Sequence, residues 1–582
     1  MPLPAHQPIC GCFSCTSGPG RRHFLKNLGI TGAIFSGLPQ VAGALTETGA
    51  RDREWSGSRV LRQDAVKRIS ILHTADIHAQ LYTHDEFFWE NNGPVYKKRG
   101  GMAVLKTMLN TLRNENPGRT LLVDGGDCFQ GSGVAALSEG RAIVPLINNI
   151  GYDLMLPGNW EVVYGKEMMQ KDLGAYDAQK ICANMFHHTP DERNGELLYH
   201  PYWTTHFGDI KLGFIGYNDP LTPKRQSPAY SEGITFTKPE KNVARYIRIL
   251  RDYERCDMVF LVTHMGLAQQ VDLANQPYVD GVDFILGADT HERVREPLQG
   301  KFAKVTEPGA FGSFVSKLDL IIENGKVKDV GYQLLDVDPA KYKPDPEMIK
   351  LVEDVRTPYQ KELNKVIGKS RTNLVRYYVL ENPMDNMITD AIQWKFKPDI
   401  AMSNGFRFCP PLVTDPKTGL AEITNDFLWN MLPVDSQAKT GEITGQQVWD
   451  WLEKELHNVF AKSPAQRFGG WVVRFAGMEI NFTAGQDMGK RLNWVKIKGS
   501  PIDLTKWYTV VACEREGDPD NTLCRVENVS KARKLGATLH EIMREYLAAY
   551  SPVSPKIEKR VTATDVPQNL LSQLEGYPYT FC

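Results

Sequence analysis

The sequence predicts a layered α/β fold, and three observations support this prediction. Short apolar runs of strand character recur through residues 71–291, and each run ends in a polar side chain. Residues 100–109 have the pattern of a helix start after a Gly-Gly pair. Alternating apolar residues before Asn324-Gly325 indicate a closing β-hairpin. Together they predict strands and helices packed in layers around one core.

Five of the apolar runs end in residues that commonly bind metal ions. Each run contains four to six β-branched or large apolar residues, as buried strands do. The polar residues that follow the runs are, in chain order, Asp76 and His78, Asp127, Asn159, His264, and Asp289 and His291. Functional residues of layered sheets collect where strands end and loops begin. We therefore expect a metal site here, rather than five unrelated polar residues that form hydrogen bonds within the core.

The order and spacing of these residues over 68–335 resemble the calcineurin-like metallophosphoesterases, in their 5′-nucleotidase branch. That family carries D-x-H, G-G-D, G-N-H-E, a lone His after a strand, and G-H-x-H or G-H-x-Q. The corresponding segments here are 76–78, 125–127, 158–161, His264 and 287–291. The resemblance implies an N-terminal sandwich of mixed sheets flanked by helices.

The resemblance also implies two metal positions. One would take Asp76, His78, Asp127 and His291, and the other Asp127 as a bridge with Asn159, His264 and Asp289. Two bridged cations would activate water and neutralise the oxygens of a tetrahedral centre. The oxygen-rich set favours two Mn²⁺, with Zn²⁺ or Fe as alternatives. Asp127, Asn159 and Trp160 are the predicted catalytic residues.

Three positions depart from the family pattern. Trp160 stands where the family has its catalytic His, and Val163 stands where it has the Asp that orients that His. Both members of the His–Asp pair are thus replaced together. Asp289 occupies the place of a usual His and adds a carboxylate to the second metal position.

Six segments are predicted along the chain. They are a signal peptide at 1–44, a lead-in at 45–67, the catalytic domain at 68–335, a linker helix at 336–366, a substrate domain at 367–560 and a tail at 561–582. The substrate domain resembles the α/β C-terminal domain of the 5′-nucleotidases through residues 402–407. Asn404 and Arg407 are candidates to bind an anionic group, and a structural turn with a surface Arg is an equal alternative.

Composition and the N-terminus narrow the cellular setting. A net charge of −1 and a pI near 6.9 exclude the basic surplus of a nucleic-acid binder, and the body has no long apolar run to span a membrane. Residues 20–26, GRRHFLK, resemble a twin-arginine export signal, so we expect a periplasmic protein. An oxidising compartment permits disulfides, and Cys513 with Cys524 is the best candidate pair.

The twin-arginine segment, G-N-W-E and G-A-D-T-H together resemble the SoxB thiosulfohydrolases of bacterial sulfur oxidation. That resemblance implies a dimanganese enzyme that releases sulfate from a cysteine-S-thiosulfonate on the carrier protein SoxYZ. A periplasmic 5′-nucleotidase or nucleotide-sugar hydrolase is the alternative, with Phe406 and Phe408 as candidates to sandwich a purine. A metal-binding scaffold without catalysis is a third interpretation, which the complete first ligand set disfavours.

Overall fold

The computed structural model describes residues 67–189, 194–403, 409–572, 574 and 576–577, all within one compact unit of the chain. The predicted signal peptide and nearly all of the lead-in lie outside the described residues. So do Asn404, Arg407, Phe406 and Phe408.

The N-terminal region is built mainly from strands. They are β1 (Arg68–Thr74), β2 (His84–Glu90), β3 (Gly93–Arg99), β4 (Thr120–Asp124), β5 (Leu154–Met155), β6 (Gln179–Lys180), β7 (Met185–His188), β8 (Asn194–Leu197), β9 (Tyr202–Phe207), β10 (Ile210–Asn218), β11 (Ile234–Phe236), β12 (Met258–His264), β13 (Phe284–Ala288), β14 (Leu298–Gln299), β15 (Lys304–Thr306), β16 (Phe314–Glu323) and β17 (Lys326–Asp336).

Two six-stranded mixed sheets form this region, in the orders β17-β16-β1-β4-β5-β6 and β14-β15-β13-β12-β10-β9. The central strands β1, β4 and β5 run parallel in the first sheet, and β10, β12 and β13 run parallel in the second. Every residue of β12 is buried, which explains its continuous apolar sequence. The structure confirms the predicted sandwich, and the β16–β17 hairpin turns at Asn324-Gly325 as expected.

Helices cover the sheets. They are α1 (Met102–Asn114), α2 (Gly133–Ser138), α3 (Val144–Ile150), α4 (Lys166–Gly174), α5 (Thr222–Arg225), α6 (Val243–Arg248) and α7 (Leu267–Ala274). Helix α1 begins after the Gly-Gly pair, as predicted, and buries one apolar face that includes Leu105, Met108 and Leu109. This face joins the core formed by β1 and β4.

The segment expected to link the two domains holds α8 (Pro346–Arg356) and α9 (Gln360–Leu363) rather than one helix. Met348 and Val352 of α8 are buried in the core of the N-terminal region, so α8 packs onto that domain. Val366, the last residue of the predicted linker, already begins a strand.

The C-terminal region is a second α/β assembly, as predicted. Its strands are β18 (Val366–Ser370), β19 (Ile400–Ser403), β20 (Ala421–Thr424), β21 (Gln437–Thr444), β22 (Arg474–Ala476), β23 (Met478–Phe482), β24 (Leu492–Ile497), β25 (Ser500–Pro501), β26 (Trp507–Cys513), β27 (Ser530–Thr538) and β28 (Val561–Ala563). Its helices are α10 (Pro383–Phe396), α11 (Asn425–Met431), α12 (Gly445–Phe460) and α13 (Leu539–Tyr550). The main sheets have the orders β22-β19-β26-β21-β27 and β25-β24-β23-β28.

The predicted disulfide does not form. Cys513 and Cys524 are both free thiols, although they line the same small cavity. In the described part of the chain, no helix is long and apolar enough to cross a membrane.

A hydrogen bond from Tyr377 joins the C-terminal region to a buried ion pair of the N-terminal region. Arg293 and Glu86 are almost completely buried, with Nη2 of Arg293 2.6 Å from Oε1 of Glu86. Tyr377, from the C-terminal region, donates to the same oxygen at 2.5 Å, and Ser313 donates to Oε2 at 2.8 Å. Burial alone would raise the pKa of Glu86, but Arg293 and hydrogen bonds from His84 and Tyr377 outweigh it and lower the pKa to about 2.

We expect Glu86→Ala to lower the free energy of unfolding by about 3–5 kcal/mol, because it leaves the Arg293 charge buried without its partner. The matched control is Glu90→Ala in the same hairpin. Glu90 pairs with Lys97 at the surface, so this change should cost less than about 1 kcal/mol. Urea unfolding of both variants measures the difference, and equal costs would contradict the interface role.

Candidate metal centre

The seven predicted ligand residues converge at one place, where both sheets end. Strands β1, β4 and β5 of the first sheet lead into Asp76 and His78, Asp127 and Asn159. Strands β12 and β13 of the second sheet lead to His264, and to Asp289 and His291. Six of the seven residues are buried, and the side chain of Asp289 is 9% exposed; the side chains of Asp76, His78 and His264 have no exposed surface. The fold therefore brings together residues spread over more than 200 positions of the sequence.

The donor atoms form two overlapping groups. Nε2 of His78 and Nε2 of His291 are 3.0 Å apart, and Oδ1 of Asp76 lies 3.9 Å from the first and 3.5 Å from the second. Nε2 of His264 lies 3.1 Å from Oδ2 of Asp127 and 3.9 Å from Oδ1 of Asp76. Oδ2 of Asp127 is also 3.8 Å from Nε2 of His78. Asp127 thus stands between the groups, as the predicted bridge requires, and Asp76 reaches both as well.

Hydrogen bonds set the direction of two imidazoles. Nδ1 of His78 contacts the carbonyl oxygen of Gln130 at 2.9 Å, and Nδ1 of His264 contacts that of Gly125 at 2.8 Å. A carbonyl only accepts, so each Nδ1 carries a hydrogen, and Nε2 is the nitrogen that faces the centre and would bind a metal. This is the arrangement of a metal-binding histidine.

Five of the seven residues adopt left-handed backbone conformations. Their φ angles are 53° for Asp76, 50° for His78, 62° for Asp127, 90° for Asp289 and 62° for His291. Non-glycine residues in this region cost about 1–3 kcal/mol each and persist only where the surroundings impose them. These left-handed conformations turn the side chains toward a common point.

Glu161 holds two of the loops together, a role that the sequence analysis missed. Its carboxylate accepts hydrogen bonds from the backbone N–H groups of Gly158, Asp127 and Cys128 at 2.5, 2.9 and 2.7 Å. The loops touch so closely that a Cβ at Gly126, where φ is +99°, would lie 2.5 Å from the nitrogen of Gly158. Glu161 therefore fixes the backbone that carries Asp127 and Asn159.

The donor set fits a pair of cations. Nε2 of His264 and Oδ2 of Asp289 are buried without a hydrogen-bond partner. Burial raises the pKa of Asp76 well above its usual value, and Asp127 and Asp289 raise it further against the opposing effect of His264. Several buried carboxylates need positive charge nearby. Asp76, His78, His291 and Asp127 would hold one ion, and Asp127, His264 and Asp289 the other.

Asn159 lies at the second position, but its amide oxygen faces away from Asp289. Its nitrogen donates to Oδ1 of Asp289, while its oxygen accepts from Nε2 of Gln226 at 2.7 Å. A ligand role for Asn159 requires the amide to rotate so that the oxygen faces the ion. Gln226 thus controls the orientation of this side chain.

Arg225 is a second residue that the sequence analysis missed. Its Nε lies 2.5 Å from Oδ2 of Asp219, and its Nη1 lies 3.9 Å from Oδ2 of Asp289. Strand β10 ends at Asn218 and Asp219 follows it, which is the pattern that identified the other strands, so the sequence carried a signal for Asp219, the partner of Arg225. Its last residue, Asn218, is paired with His264 in the sheet.

Trp160 and Val163 lie side by side in an apolar cluster beside the centre. The cluster also contains Tyr164, Tyr230 and Val434. The backbone N–H of Trp160 donates to Oδ1 of Asp127 at 2.8 Å. Burial raises the pKa of both phenols, so neither tyrosine is a ready proton donor near neutral pH. The space of the missing His–Asp pair is therefore filled by side chains that do not exchange protons there.

Two cavities border the centre. The larger, of about 390 Å³, runs from Met265, Gly266 and Thr290 to Phe460 and Phe468 of the C-terminal region. The smaller, of about 50 Å³, is lined by Trp160 on one side and by residues of the C-terminal region, such as Arg515, on the other. Both cavities also contact Arg225. The C-terminal region thus walls the approach to the predicted metals.

Two protein families match this architecture. Residues 69–293 match the calcineurin-like phosphoesterases, and residues 366–514 match the 5′-nucleotidase C-terminal domain. The chain joins a calcineurin-like phosphoesterase domain to a 5′-nucleotidase C-terminal domain. Calcineurin-like phosphoesterases bind a dinuclear metal site, and the phosphoesterase domain described here presents Asp and His groups suited to one.

Similar proteins match this chain over most of their length. A 5′-nucleotidase of Vibrio cholerae is 25% identical over 84% of this chain and 92% of its own, and UshA of Escherichia coli is 23% identical over 85% and 93%. Among solved structures, the sulfate thiohydrolase SoxB of Thermus thermophilus superposes with a TM-score of 0.75 at 20% identity, covering 87% of this chain and 98% of its own. A 5′-nucleotidase precursor of Thermus thermophilus reaches 0.73 at 20% identity, covering 86% and 100%. These likenesses establish the fold of the phosphoesterase and nucleotidase domains.

We expect Asp127→Ala to lose both metals, or one metal and nearly all activity, because Oδ2 of Asp127 lies between His78 and His264. Elemental analysis of the purified variant measures the loss against the wild type. Two tightly held metals per chain in the variant would show that Asp127 is not the bridge.

Proposed function

We propose that the protein is a dimanganese hydrolase that releases sulfate from a cysteine-S-thiosulfonate carried by SoxYZ. Water oxygen bonds to the sulfonate sulfur, and the bond from that sulfur to the neighbouring sulfane sulfur breaks. The sulfane sulfur keeps the electron pair, so a carrier persulfide and sulfate remain and two protons are released. The likeness in fold to SoxB of Thermus thermophilus supports this substrate class.

The burial of Trp160 with Val163 carries the proposal. Indole donates a hydrogen bond but does not give up its proton near neutral pH. General acid assistance is commonly worth about 10²–10⁴-fold in rate, and an alkoxide leaving group needs it most. A persulfide is far more acidic than an alcohol, so it leaves as an anion with little assistance. A site without the His–Asp pair therefore suits a sulfur leaving group.

Manganese is the proposed metal because carboxylate oxygens supply much of the ligand set, alongside three imidazoles. When bound, two divalent cations neutralise the oxygens of the tetrahedral group and make water a better nucleophile. The protein itself contributes orientation: Glu161 holds the Asp127 loop, and the backbone N–H of Asp289 donates to both oxygens of Asp76 at 3.3 and 3.1 Å.

A 5′-nucleotidase or nucleotide-sugar hydrolase is the second candidate, and the larger cavity favours it. Its volume of about 390 Å³ lies within the range of small-molecule sites, and Phe460 and Phe468 offer aromatic surface. The similar 5′-nucleotidase of Vibrio cholerae supports the same substrate class. The two candidates differ in product, since one releases sulfate and the other phosphate.

We expect the wild type to cleave carrier-bound S-thiosulfonate far faster than AMP. Trp160→His with Val163→Asp should raise AMP hydrolysis relative to S-thiosulfonate hydrolysis, because it restores a proton donor and its orienting carboxylate. The measurement is kcat/KM on both substrates, with sulfate and phosphate quantified.

Trp160→Phe is the control, since it alters the same side chain without adding an acid and should leave the AMP rate low. Efficient AMP hydrolysis by the wild type, with no sulfate from the carrier, would reject the thiosulfohydrolase and favour the nucleotidase.

We also propose export to the periplasm through the twin-arginine pathway, which carries folded proteins. The supporting feature is the arginine pair at 21–22 in GRRHFLK. Arg21→Lys with Arg22→Lys should hold the precursor in the cytoplasm, as cell fractionation and immunoblotting would show. Export at the wild-type rate would contradict this route.

A further inference from the structure

One segment of the phosphoesterase domain lies between the metal centre and the C-terminal domain. It comprises residues 224–229, at the end of α5 and just beyond it. On its inner side, Gln226 donates to Oδ1 of Asn159 at 2.7 Å, and Arg225 lies 3.9 Å from Oδ2 of Asp289. Both contacts fall on the second metal position.

The outer side of the segment is held by Arg515 of the C-terminal domain. Nη2 of Arg515 donates to the carbonyl oxygen of Lys224 at 2.8 Å and also to that of Gln226. These two carbonyls flank Arg225. One guanidinium therefore fixes the backbone on both sides of the residue that faces Asp289.

We call the two hydrogen bonds from Arg515 to the carbonyls of Lys224 and Gln226 the Arg515 clamp. Neighbouring contacts support it. The backbone N–H of Ala229 donates to the carbonyl of Glu516 at 3.2 Å. At Gly517, φ is +85° and a Cβ would lie 2.7 Å from the nitrogen of Ala229, so only glycine fits there without a shift. The Arg225 guanidinium also lies 4.8 Å from the centre of the Phe468 ring, a favourable cation–π distance.

The first metal position is supported differently. Nδ1 of His78 donates a hydrogen bond to the backbone carbonyl of Gln130, and Asp76 accepts one from the backbone N–H of Asp289. Both partners belong to the phosphoesterase domain. Loss of the Arg515 clamp should therefore affect the two positions unequally.

We propose that Arg515 is a positioning residue for the second metal: it holds the backbone on both sides of Arg225, so that Arg225 keeps Asp289 in place. The C-terminal domain then does more than wall the substrate cavity, because its seating sets the affinity of one of the two ions. Residues that orient ligands from behind typically change metal affinity by about 10–100-fold when they are lost. This inference concerns metal affinity and does not depend on which substrate is cleaved.

The test is titration of Mn²⁺ alone into metal-free protein, with calorimetry for the affinities and electron paramagnetic resonance to separate single ions from coupled pairs. In Arg515→Met, we expect the second Mn²⁺ to bind about 10–100-fold more weakly while the first binds as in the wild type. Arg515→Lys keeps a hydrogen-bond donor but loses the planar guanidinium. Its affinity for the second Mn²⁺ should lie between those of the wild type and Arg515→Met. Arg371→Met is the control, because Arg371 also donates to a backbone carbonyl, that of Pro552, but does so within the C-terminal domain.

Two results would overturn the proposal. One is wild-type binding of both ions by Arg515→Met. The other is an equal weakening of both, together with a lower Tm of the metal-free variant, which would mean general loosening. If Arg515→Met fails to fold, Arg225→Met decides, since it removes the guanidinium that faces Asp289 but keeps the two backbone carbonyls to which Arg515 donates. Wild-type binding of the second Mn²⁺ by Arg225→Met would then reject the positioning role.

Discussion

The contact between Nε2 of His264 and Oδ2 of Asp127, at 3.1 Å, joins the ends of the two sheets. Asp127 follows β4 in one sheet, and His264 is the last residue of β12 in the other. Burial would lower the pKa of His264 and raise that of Asp127, yet their mutual attraction reverses both shifts. The ends of the two sheets therefore meet at a pair of opposite charges, those of His264 and Asp127. The remaining donors are arranged about this pair, and the same arrangement suits two cations.

This arrangement is costly to build, and the fold offsets the cost locally. Left-handed conformations at five of the candidate ligand residues store strain of about 1–3 kcal/mol each. Glu161 ties the strained loops by accepting three backbone N–H groups, and close glycine contacts lock them together. Bound cations would add the largest compensating attraction, since the centre contains more carboxylates than cationic groups. Strain and buried charge thus mark the same place in the structure.

The C-terminal domain acts on this centre from two sides. Arg293, Glu86 and Tyr377 hold it to the hairpin β2–β3, while Arg515 holds it to the segment beside Asn159 and Asp289. Between these contacts lie the two cavities, one reaching Trp160 and the other reaching Met265 and Thr290. The Arg225 guanidinium lines both cavities, and the Trp160 side chain lines the smaller one. The packing of the C-terminal domain on the phosphoesterase domain is therefore linked to the metal centre through these contacts.

The sequence by itself determined the layered fold and the candidate ligands, because buried parallel strands need continuous apolar runs and each run here ends in a recognisable donor. It also determined the loss of the His–Asp pair, which is visible at Trp160 and Val163. Only the tertiary structure decided the roles of Arg225, Gln226, Glu161 and Arg515. These residues act through contacts between loops that local patterns do not encode, and Arg515 lies almost 300 positions from the segment it holds. The free thiols of Cys513 and Cys524 have the same explanation, since spacing along the chain does not set the geometry that a disulfide requires.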